Sequence, residues 1–433
     1  MATSTLPNIV IIGGGAGGLE LATQLGHKLG KKNRANILLI DKNRSHIWKP
    51  LLHEVATGSL DSNLDGVVYS AHAAKHGYRF QLGTFCDLNS ETKTITLAPQ
   101  FEQQQQILPA REVNYDHLVI AIGSVSNDFN TPGVKEHCFF LDSHKQADRF
   151  HGALLNAFTQ VHQNTQDAQL DIAIVGAGAT GVELSAELYH VADLLKVYGL
   201  SNMTSAKLNI HLIEAGPTIL PALPPRISQS AKNELEKLGV NVMENTRIAK
   251  ASAEGFITSE ETLINADLML WAAGVKAPDF IRDLDCFDLN RANQIIVAPT
   301  LLSATNDDIF VIGDCCACEL PNGKFVPPRA QSAHQMASCV ESNLINKLNN
   351  KPLTDYRYVD YGSLVNLSRF STVGSLMGNL TKRSMFVEGK IARIMYISLY
   401  RMHQRAIHGT LKTIGLWFAE KIMRVVRPRM KLH

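Results

Sequence analysis

The sequence predicts an α/β protein with two Rossmann-like dinucleotide-binding domains and a C-terminal amphipathic helical region that docks on a membrane. Three observations predict this architecture: a glycine-rich turn between a buried strand and a helix, a second copy of that turn in the middle of the chain, and a strongly basic C-terminal segment. With 433 residues, 45% of them hydrophobic, the chain is long enough for roughly two to three domains with sizeable cores.

The first glycine-rich turn follows a run of β-branched residues, Ile9 to Ile12, that is typical of a buried parallel strand. Gly13, Gly15 and Gly18 fit the G-x-G-x-x-G pattern. The first glycine permits a tight turn, the second lets the backbone approach a pyrophosphate, and the third allows close packing of helix and strand. The next predicted strand ends in Asp41, whose carboxylate can accept hydrogen bonds from the hydroxyls of an adenosine ribose. Strand, glycines, helix, strand and acid in this order predict a dinucleotide site.

The second turn repeats this order with Gly176, Gly178 and Gly181 after the strand that starts at Asp171. The following strand ends in Glu214, after an insertion that lengthens either the helix or the loop before it. A carboxylate at this position binds a ribose 2′-hydroxyl and repels a 2′-phosphate, so Glu214 predicts NADH rather than NADPH. Two such domains imply two dinucleotides, a flavin in the first and NADH in the second.

Three further apolar strands end near the same crevices. Their last residues are Gly123, Gly274 and the Gly313–Asp314 pair. We therefore expect residues 1–140 and 276–350 to form the FAD-binding domain and residues 141–275 to form the NADH-binding domain. The basic segment 351–433 is expected to form the membrane-associating region.

The seven cysteines are scattered and do not form a disulfide framework. No cysteine precedes Cys86, which argues against a flavin reductase with a redox disulfide beside its flavin. Cys315, Cys316 and Cys318 are expected to start a helix as packing residues. Because no second Cys or His pair lies at zinc-site spacing, we expect no bound metal.

Three motifs narrow the family. They are Pro50–Gly58, Gly181–Leu184, and Ala330–Gln335, in which Gln331 and Gln335 lie on one helical face. Together they resemble the motifs of type II NADH dehydrogenases, the single-subunit NADH:quinone oxidoreductases. More broadly, Asn8 to about Asn346 resembles the flavoprotein reductases with two dinucleotide domains, in which an acid matching Asp314 holds the flavin ribityl chain.

This resemblance implies an enzyme that passes hydride from NADH to FAD and two electrons onward to a membrane quinone. It places Gln331 and Gln335 beside the flavin and the quinone head group, where neutral amides can hydrogen-bond carbonyls. Glu183 is the candidate proton-delivering or gating residue. The alternative is an N-terminal helix carboxylate that only the helix dipole stabilises. Lys382 is a further candidate near that site.

The C-terminal segment from Thr381 to His433 holds twelve Lys or Arg residues against two Glu, a net charge of +10 in a chain whose total is +2. Its apolar residues form one helical stripe: Ile407, Leu411, Ile414, Phe418, Ile422 and Val425. A basic amphipathic helix of this kind lies in the headgroup plane of an anionic membrane. The alternative is packing on a sister subunit or on the protein's own core.

The chain contains no run of 18 apolar residues and its first strand begins near Ile9, so we expect neither a transmembrane helix nor a signal peptide. The expected location is the cytoplasmic face of the inner (plasma) membrane, as a peripheral or monotopic homodimer without a nucleic-acid partner. Two other functions stay open. One is a sulfide:quinone oxidoreductase using Cys138 and Cys339, and the other is a flavin-bearing redox sensor with slow turnover.

Overall fold

The computed structural model describes residues 6–61, 66–102, 104–164, 168–200, 202–367, 371–377, 384–426 and 430–431. The chain divides into two compact units, each assembled from segments that are distant in sequence. The first unit contains Met1–Trp48, Gly66–Val125 and Val275–Val359, and the second contains Lys49–Asp65, Ser126–Gly274 and Asp360–His433.

The helices and strands are numbered along the chain. The helices are α1 (Ala16–Lys28), α2 (Leu52–Thr57), α3 (Tyr69–His76), α4 (Val134–His137), α5 (His144–Gln163), α6 (Ala179–Leu195), α7 (Pro225–Leu238), α8 (Ala330–Leu348), α9 (Gly389–His408) and α10 (Thr410–Val426). The strands are β1 (Asn8–Ile12), β2 (Asn36–Asp41), β3 (Ser45–His46), β4 (Val67–Val68), β5 (Arg79–Leu82), β6 (Thr84–Asn89), β7 (Thr94–Ala98), β8 (Gln100–Glu102), β9 (Gln105–Leu108), β10 (Arg111–Asn114), β11 (His117–Ile120), β12 (Val125–Ser126), β13 (Leu170–Val175), β14 (Leu208–Ile213), β15 (Asn241–Met243), β16 (Ile248–Ser252), β17 (Gly255–Thr258), β18 (Leu263–Asn265), β19 (Leu268–Trp271), β20 (Val275–Lys276), β21 (Ile295–Val297), β22 (Leu302–Ser303), β23 (Asn306–Val311), β24 (Cys316–Cys318), β25 (Gly362–Leu367), β26 (Ser371–Met377) and β27 (Ser384–Glu388).

The first unit is built on a sheet with the strand order β24-β21-β22-β23-β11-β1-β2-β5. From β23 to β5 the neighbouring strands are parallel. The apolar residues of β23, β11, β1 and β2 are buried, as in a sheet covered on both faces. The helices α1 and α8 pack together in this unit. At their contact a Cβ on Gly17 would lie 3.0 Å from the Ala333 carbonyl oxygen, so the two helices approach closely.

The second unit contains a parallel sheet with the order β15-β14-β13-β19. Its C-terminal part forms an antiparallel sheet, β25-β26-β27. That sheet packs with α6, α7 and α9 inside the same unit. The polypeptide after Asp360 is therefore an integral part of the unit that carries the second glycine turn.

Several expectations are settled at this level. The α/β fold with two dinucleotide-type sheets is confirmed, and the insertion before Glu214 does extend the helix, because α6 continues to Leu195. The expectation for the three cysteines was wrong in one respect. Cys315 lies in a 3₁₀ turn and Cys316–Cys318 form a strand paired with Ile295–Val297, although all three side chains are buried as predicted.

The C-terminal stripe does not lie on one continuous helix. Gly409, with φ +79°, separates α9 from α10. Ile407 lies at the end of α9 and is buried, which corrects its place on the stripe, whereas Leu411, Ile414, Phe418 and Ile422 on α10 are exposed. The side chain of Val425 and the whole of Lys382 lie outside the described residues. None of the described helices combines the length and apolar character needed to cross a membrane.

Candidate active site

The first glycine turn joins β1 to α1 in the geometry that the sequence predicts. Gly13 has φ +97°, and a Cβ there would overlap the Ala121 carbonyl. A Cβ on Gly18 would overlap the carbonyl oxygen of Gly13. Nothing lies within 4 Å of a Cβ built on Gly15, which is the N-cap of α1. Packing thus requires the first and third glycines, while the second faces open space where a phosphate group can approach.

The turn between β13 and α6 in the second unit repeats this arrangement. Gly176 has φ +102°, and a Cβ there would lie 2.6 Å from Ala273 Cα. A Cβ on Gly181 would overlap the carbonyl oxygen of Gly176, and one on Gly178 would meet no atom within 4 Å. The same division of roles in both units fits one dinucleotide in each.

The acids at the strand ends hold these turns. Asp41 Oδ2 accepts a hydrogen bond from the Gly14 backbone N–H at 2.6 Å, and Glu214 Oε2 accepts one from the Ala177 backbone N–H at 3.0 Å. Burial raises the pKa of Asp41, although hydrogen bonds from Gly14 and Asn43 oppose this. Each carboxylate is therefore fixed beside its glycine turn, with oxygen lone pairs that can also accept from ribose hydroxyls.

The strand order reverses direction beside both turns. In the first unit β1 lies between β2 and β11, and Gly123 follows β11 with φ +72° and no atom within 4 Å of a built Cβ. Ser124 Oγ donates to Asp314 Oδ2 at 2.8 Å, and Gln294 Nε2 donates to the Asp314 carbonyl at 2.7 Å. Open α/β sheets bind their ligands in this kind of crevice, at the carboxyl ends of the strands.

Gln331 and Gln335 both lie on α8, four residues apart, as the sequence predicts. The Gln335 side chain pairs with the backbone of Val359, because its Nε2 donates to the carbonyl and its Oε1 accepts from the N–H, each at 2.9 Å. One N–H of the Gln335 amide remains for another acceptor. Gln335 thus fixes the segment after α8 in addition to any role toward a substrate.

Glu183 lies in a buried cluster that the second unit assembles from distant segments. Its Oε1 accepts the Asn366 backbone N–H of β25 at 3.0 Å, and its Oε2 lies 3.6 Å from Nδ1 of His53 on α2. One turn further along α6, Glu187 accepts a hydrogen bond from Ser59 Oγ. Except for the i, i+4 pair on α6, these neighbours gave no sequence signal, since α2, α6 and β25 are far apart in the chain.

The pKa of Glu183 is raised to about 8, mainly by burial and also by the carboxylates of Glu54 and Glu187. Hydrogen bonds from the Asn366 N–H and the Tyr396 hydroxyl act in the opposite direction. Burial also lowers the pKa of His53, so this imidazole is neutral and does not compensate a charge on Glu183. At neutral pH, Glu183 is therefore a buried carboxylic acid that can give up a proton.

The thiols of Cys138 and Cys339 do not provide a nucleophile at neutral pH. Burial raises the pKa of Cys138 to about 12 and that of Cys339 to about 11, so both remain protonated at neutral pH. Cys138 packs against the apolar core of the second unit, which includes Val134 and Trp271. This environment argues against the alternative in which these two cysteines are the reactive pair of a sulfide:quinone oxidoreductase. Within the described residues, no group of three or more His, Cys, Asp or Glu side chains could hold a metal ion.

Comparison with known proteins agrees with this geometry. Residues 7–337 match the family model of the pyridine nucleotide-disulphide oxidoreductases. A type II NADH:quinone oxidoreductase from Haemophilus influenzae is 46% identical, and the alignment covers 99% of this chain and 100% of that protein. The chain belongs to the type II NADH:quinone oxidoreductase family.

Solved structures share the fold. A structure of NDH2 from Plasmodium falciparum in complex with NADH has a TM-score of 0.81, with 19% identity, and covers 99% of this chain and 100% of that chain. The sulfide:quinone oxidoreductase from Aquifex aeolicus has a TM-score of 0.75, with 18% identity, and covers 97% and 95%. At these identities the likeness concerns the fold alone. The predicted membership of the type II NADH:quinone oxidoreductase family is confirmed.

Proposed function

We propose that this enzyme binds FAD in the first unit and NADH in the second, and that it passes two electrons from NADH to a membrane quinone. The observation that supports this assignment is the duplicated glycine turn, in which the second glycine of each copy faces open space and an acid holds the turn. The family membership supports the overall reaction, NADH:quinone oxidoreduction.

The cofactor-binding residues follow from these two turns. Gly13, Gly15, Gly18, Asp41, Gly123, Asp314 and Gln331 are proposed to hold FAD. Gly176, Gly178, Gly181, Glu214 and Gly274 are proposed to hold NADH. We propose the domains accordingly, with residues 1–140 and 276–350 for FAD, 141–275 for NADH, and 351–433 for membrane association. A flavin, when bound, takes a hydride from NADH and gives two electrons to a quinone.

The protein also has to provide protons, since reduction of a quinone to a quinol consumes two. Glu183 is proposed to hold one of them, because it is buried and its pKa of about 8 keeps it protonated at neutral pH. Gln331 and Gln335 are proposed to donate hydrogen bonds to the quinone carbonyls. Neutral amides suit this role because they leave no fixed charge beside a group that changes charge during reduction.

We further propose that α10 docks the enzyme on an anionic membrane. Its exposed apolar residues include Leu411, Phe418 and Ile422, and Lys421 lies 4.8 Å from the ring centre of Trp417. Basic side chains and aromatic rings of this kind suit the headgroup region. We also propose that the enzyme is a homodimer and that it lies at the cytoplasmic face of the inner membrane.

One assay tests the function. Purified protein loaded with FAD is mixed with NADH, with and without a short-chain quinone, and flavin absorbance and NADH oxidation are followed. We expect NADH to bleach the flavin and quinone to restore its colour over many turnovers. Bleaching by sulfide in place of NADH would support the sulfide:quinone oxidoreductase alternative, and slow turnover with every quinone would support the redox sensor.

A further inference from the structure

The loop from Asn127 to Asn130 carries an exposed aromatic ring at one end of the parallel sheet in the second unit. Trp271, the last residue of β19, donates its indole N–H to the Asn127 carbonyl at 2.8 Å. Phe129 then places its ring against Gly274, so that a Cβ built on Gly274 would lie 2.6 Å from Phe129 Cζ. The ring therefore lies directly beside the strand end at which a dinucleotide is expected.

The backbone of Phe129 is strained. Its φ is +50°, a left-handed conformation that bulky residues rarely adopt. Leu220 and Leu301 also have positive φ, but both are almost completely buried, so packing of the side chain offsets the strain. Phe129 is 61% exposed and lacks this compensation. Strained backbone positions of this kind cluster at active sites and ligand-binding sites.

The loop is held rigidly in this conformation. The Phe129 N–H donates to Asn127 Oδ1 at 3.0 Å, and the Thr131 N–H donates to the Asp128 carbonyl at 2.9 Å. The Asp128 side chain is buried and lies 3.1 Å from Lys135 Nζ. These contacts fix the backbone on both sides of Phe129, and this backbone conformation places the ring beside Gly274.

The strand order indicates which part of the dinucleotide the ring would meet. The crevice opens between β13 and β19, where the order β15-β14-β13-β19 changes direction. Glu214 marks the adenosine side, because it follows β14, on the far side of β13. Gly274 follows β19 and lies on the opposite side, which is that of the nicotinamide.

From this placement we propose that Phe129 contacts the nicotinamide end of NADH and holds it by stacking. This inference rests on the proposed NADH site in the second unit. It makes Phe129 a substrate-positioning residue that the glycine motif does not include. A flat apolar ring in a preset position would order the nicotinamide with little loss of conformational freedom.

Calorimetry with two probes tests this. NAD⁺ carries the nicotinamide, and ADP-ribose lacks it. In the FAD-loaded Phe129→Gly variant we expect the Kd for NAD⁺ to rise roughly three- to tenfold, as for loss of one aromatic contact, and the Kd for ADP-ribose to stay unchanged. Phe129→Tyr, which keeps the ring, should retain wild-type values. Phe101→Ala, which removes another exposed ring on β8, is the matched control.

The melting temperature separates this effect from damage to the fold. Because glycine adopts a positive φ without strain, Phe129→Gly should melt no lower than the wild type. Unchanged binding of both probes, or equal weakening of both, would overturn the role at the nicotinamide. Failure of the wild type to bind either probe would instead overturn the proposed NADH site.

Discussion

Replacing Glu183 by Gln removes a carboxyl group whose pKa the fold raises from 4.5 to about 8. Between pH 4.5 and about 8, Glu183 is protonated in the folded protein and ionised in the unfolded chain. The free energy of unfolding therefore falls as pH rises through this range. A shift of this size corresponds to at most about 5 kcal/mol between the two ends of the interval. Gln keeps an oxygen that can accept the Asn366 N–H, while it has no charge to lose.

We therefore expect Glu183→Gln to be increasingly more stable than the wild type as pH rises from 5 to 9, by up to several kcal/mol. Urea unfolding, followed by circular dichroism at several pH values, measures this difference. Glu236→Gln, on the exposed face of α7, provides a control for the loss of one negative charge. A stability difference between Glu183→Gln and wild type that does not change with pH would refute the raised pKa.

The same titration has a kinetic consequence. In the wild type, reoxidation of the reduced flavin by quinone should slow as pH rises above about 8, because Glu183 then loses its proton. In Glu183→Gln the reoxidation should be slow at every pH and should lack that transition. Stopped-flow measurement with a short-chain quinone resolves the two cases. A wild-type profile that is flat through this range would exclude Glu183 as the proton donor.

Three further predictions concern other parts of the enzyme. In Glu214→Ala the preference for NADH over NADPH should shrink, because about 1.5–3 kcal/mol of charge-assisted hydrogen bonding is lost. The ratio of kcat/KM for NADH to kcat/KM for NADPH measures this preference. Equal kcat/KM for the two cofactors in the wild type would contradict the role of Glu214. Gln331→Ala should slow flavin reoxidation by quinone and leave reduction by NADH intact. Gln335→Ala should do the same and also lower the melting temperature, because it removes the hydrogen bonds to Val359. Equal slowing of both half-reactions would indicate a role in flavin packing only. The double variant Leu411→Ser/Ile422→Ser should bind anionic vesicles more weakly, by roughly 1.5 kcal/mol per side chain, while NADH oxidation in solution persists. Vesicle flotation measures this binding. Absence of wild-type binding to such vesicles at low salt would disprove docking.

Point substitutions are preferable to truncation in the C-terminal region. Met430 is buried, and the Lys431 backbone N–H donates to the Gly58 carbonyl at 2.9 Å, so the last described residues are packed into the second unit. A chain cut before Ile407 would lose these contacts as well as α10. Loss of membrane binding in that truncated protein would not identify the surface responsible.

The amino-acid sequence by itself determined the two glycine turns, the acids that follow them and the helix that carries Gln331 and Gln335. These features depend on neighbours in the chain, on the alternation of apolar runs with glycine and on the positive φ that Gly13 and Gly176 adopt. The family motifs are local in the same sense. For this reason the residue pattern alone is sufficient to predict the fold class and the family.

Only the tertiary structure decided the features that join distant segments. Cys316–Cys318 form a strand because their backbone pairs with Ile295–Val297, which local sequence does not reveal. Glu183 has a raised pKa because α2, α6 and β25 bury it together. Phe129 lies in a strained and exposed position because Asn127, Trp271 and Gly274 fix its loop. Burial and electrostatic environment depend on which segments meet in space, and that information appears only when the chain has folded.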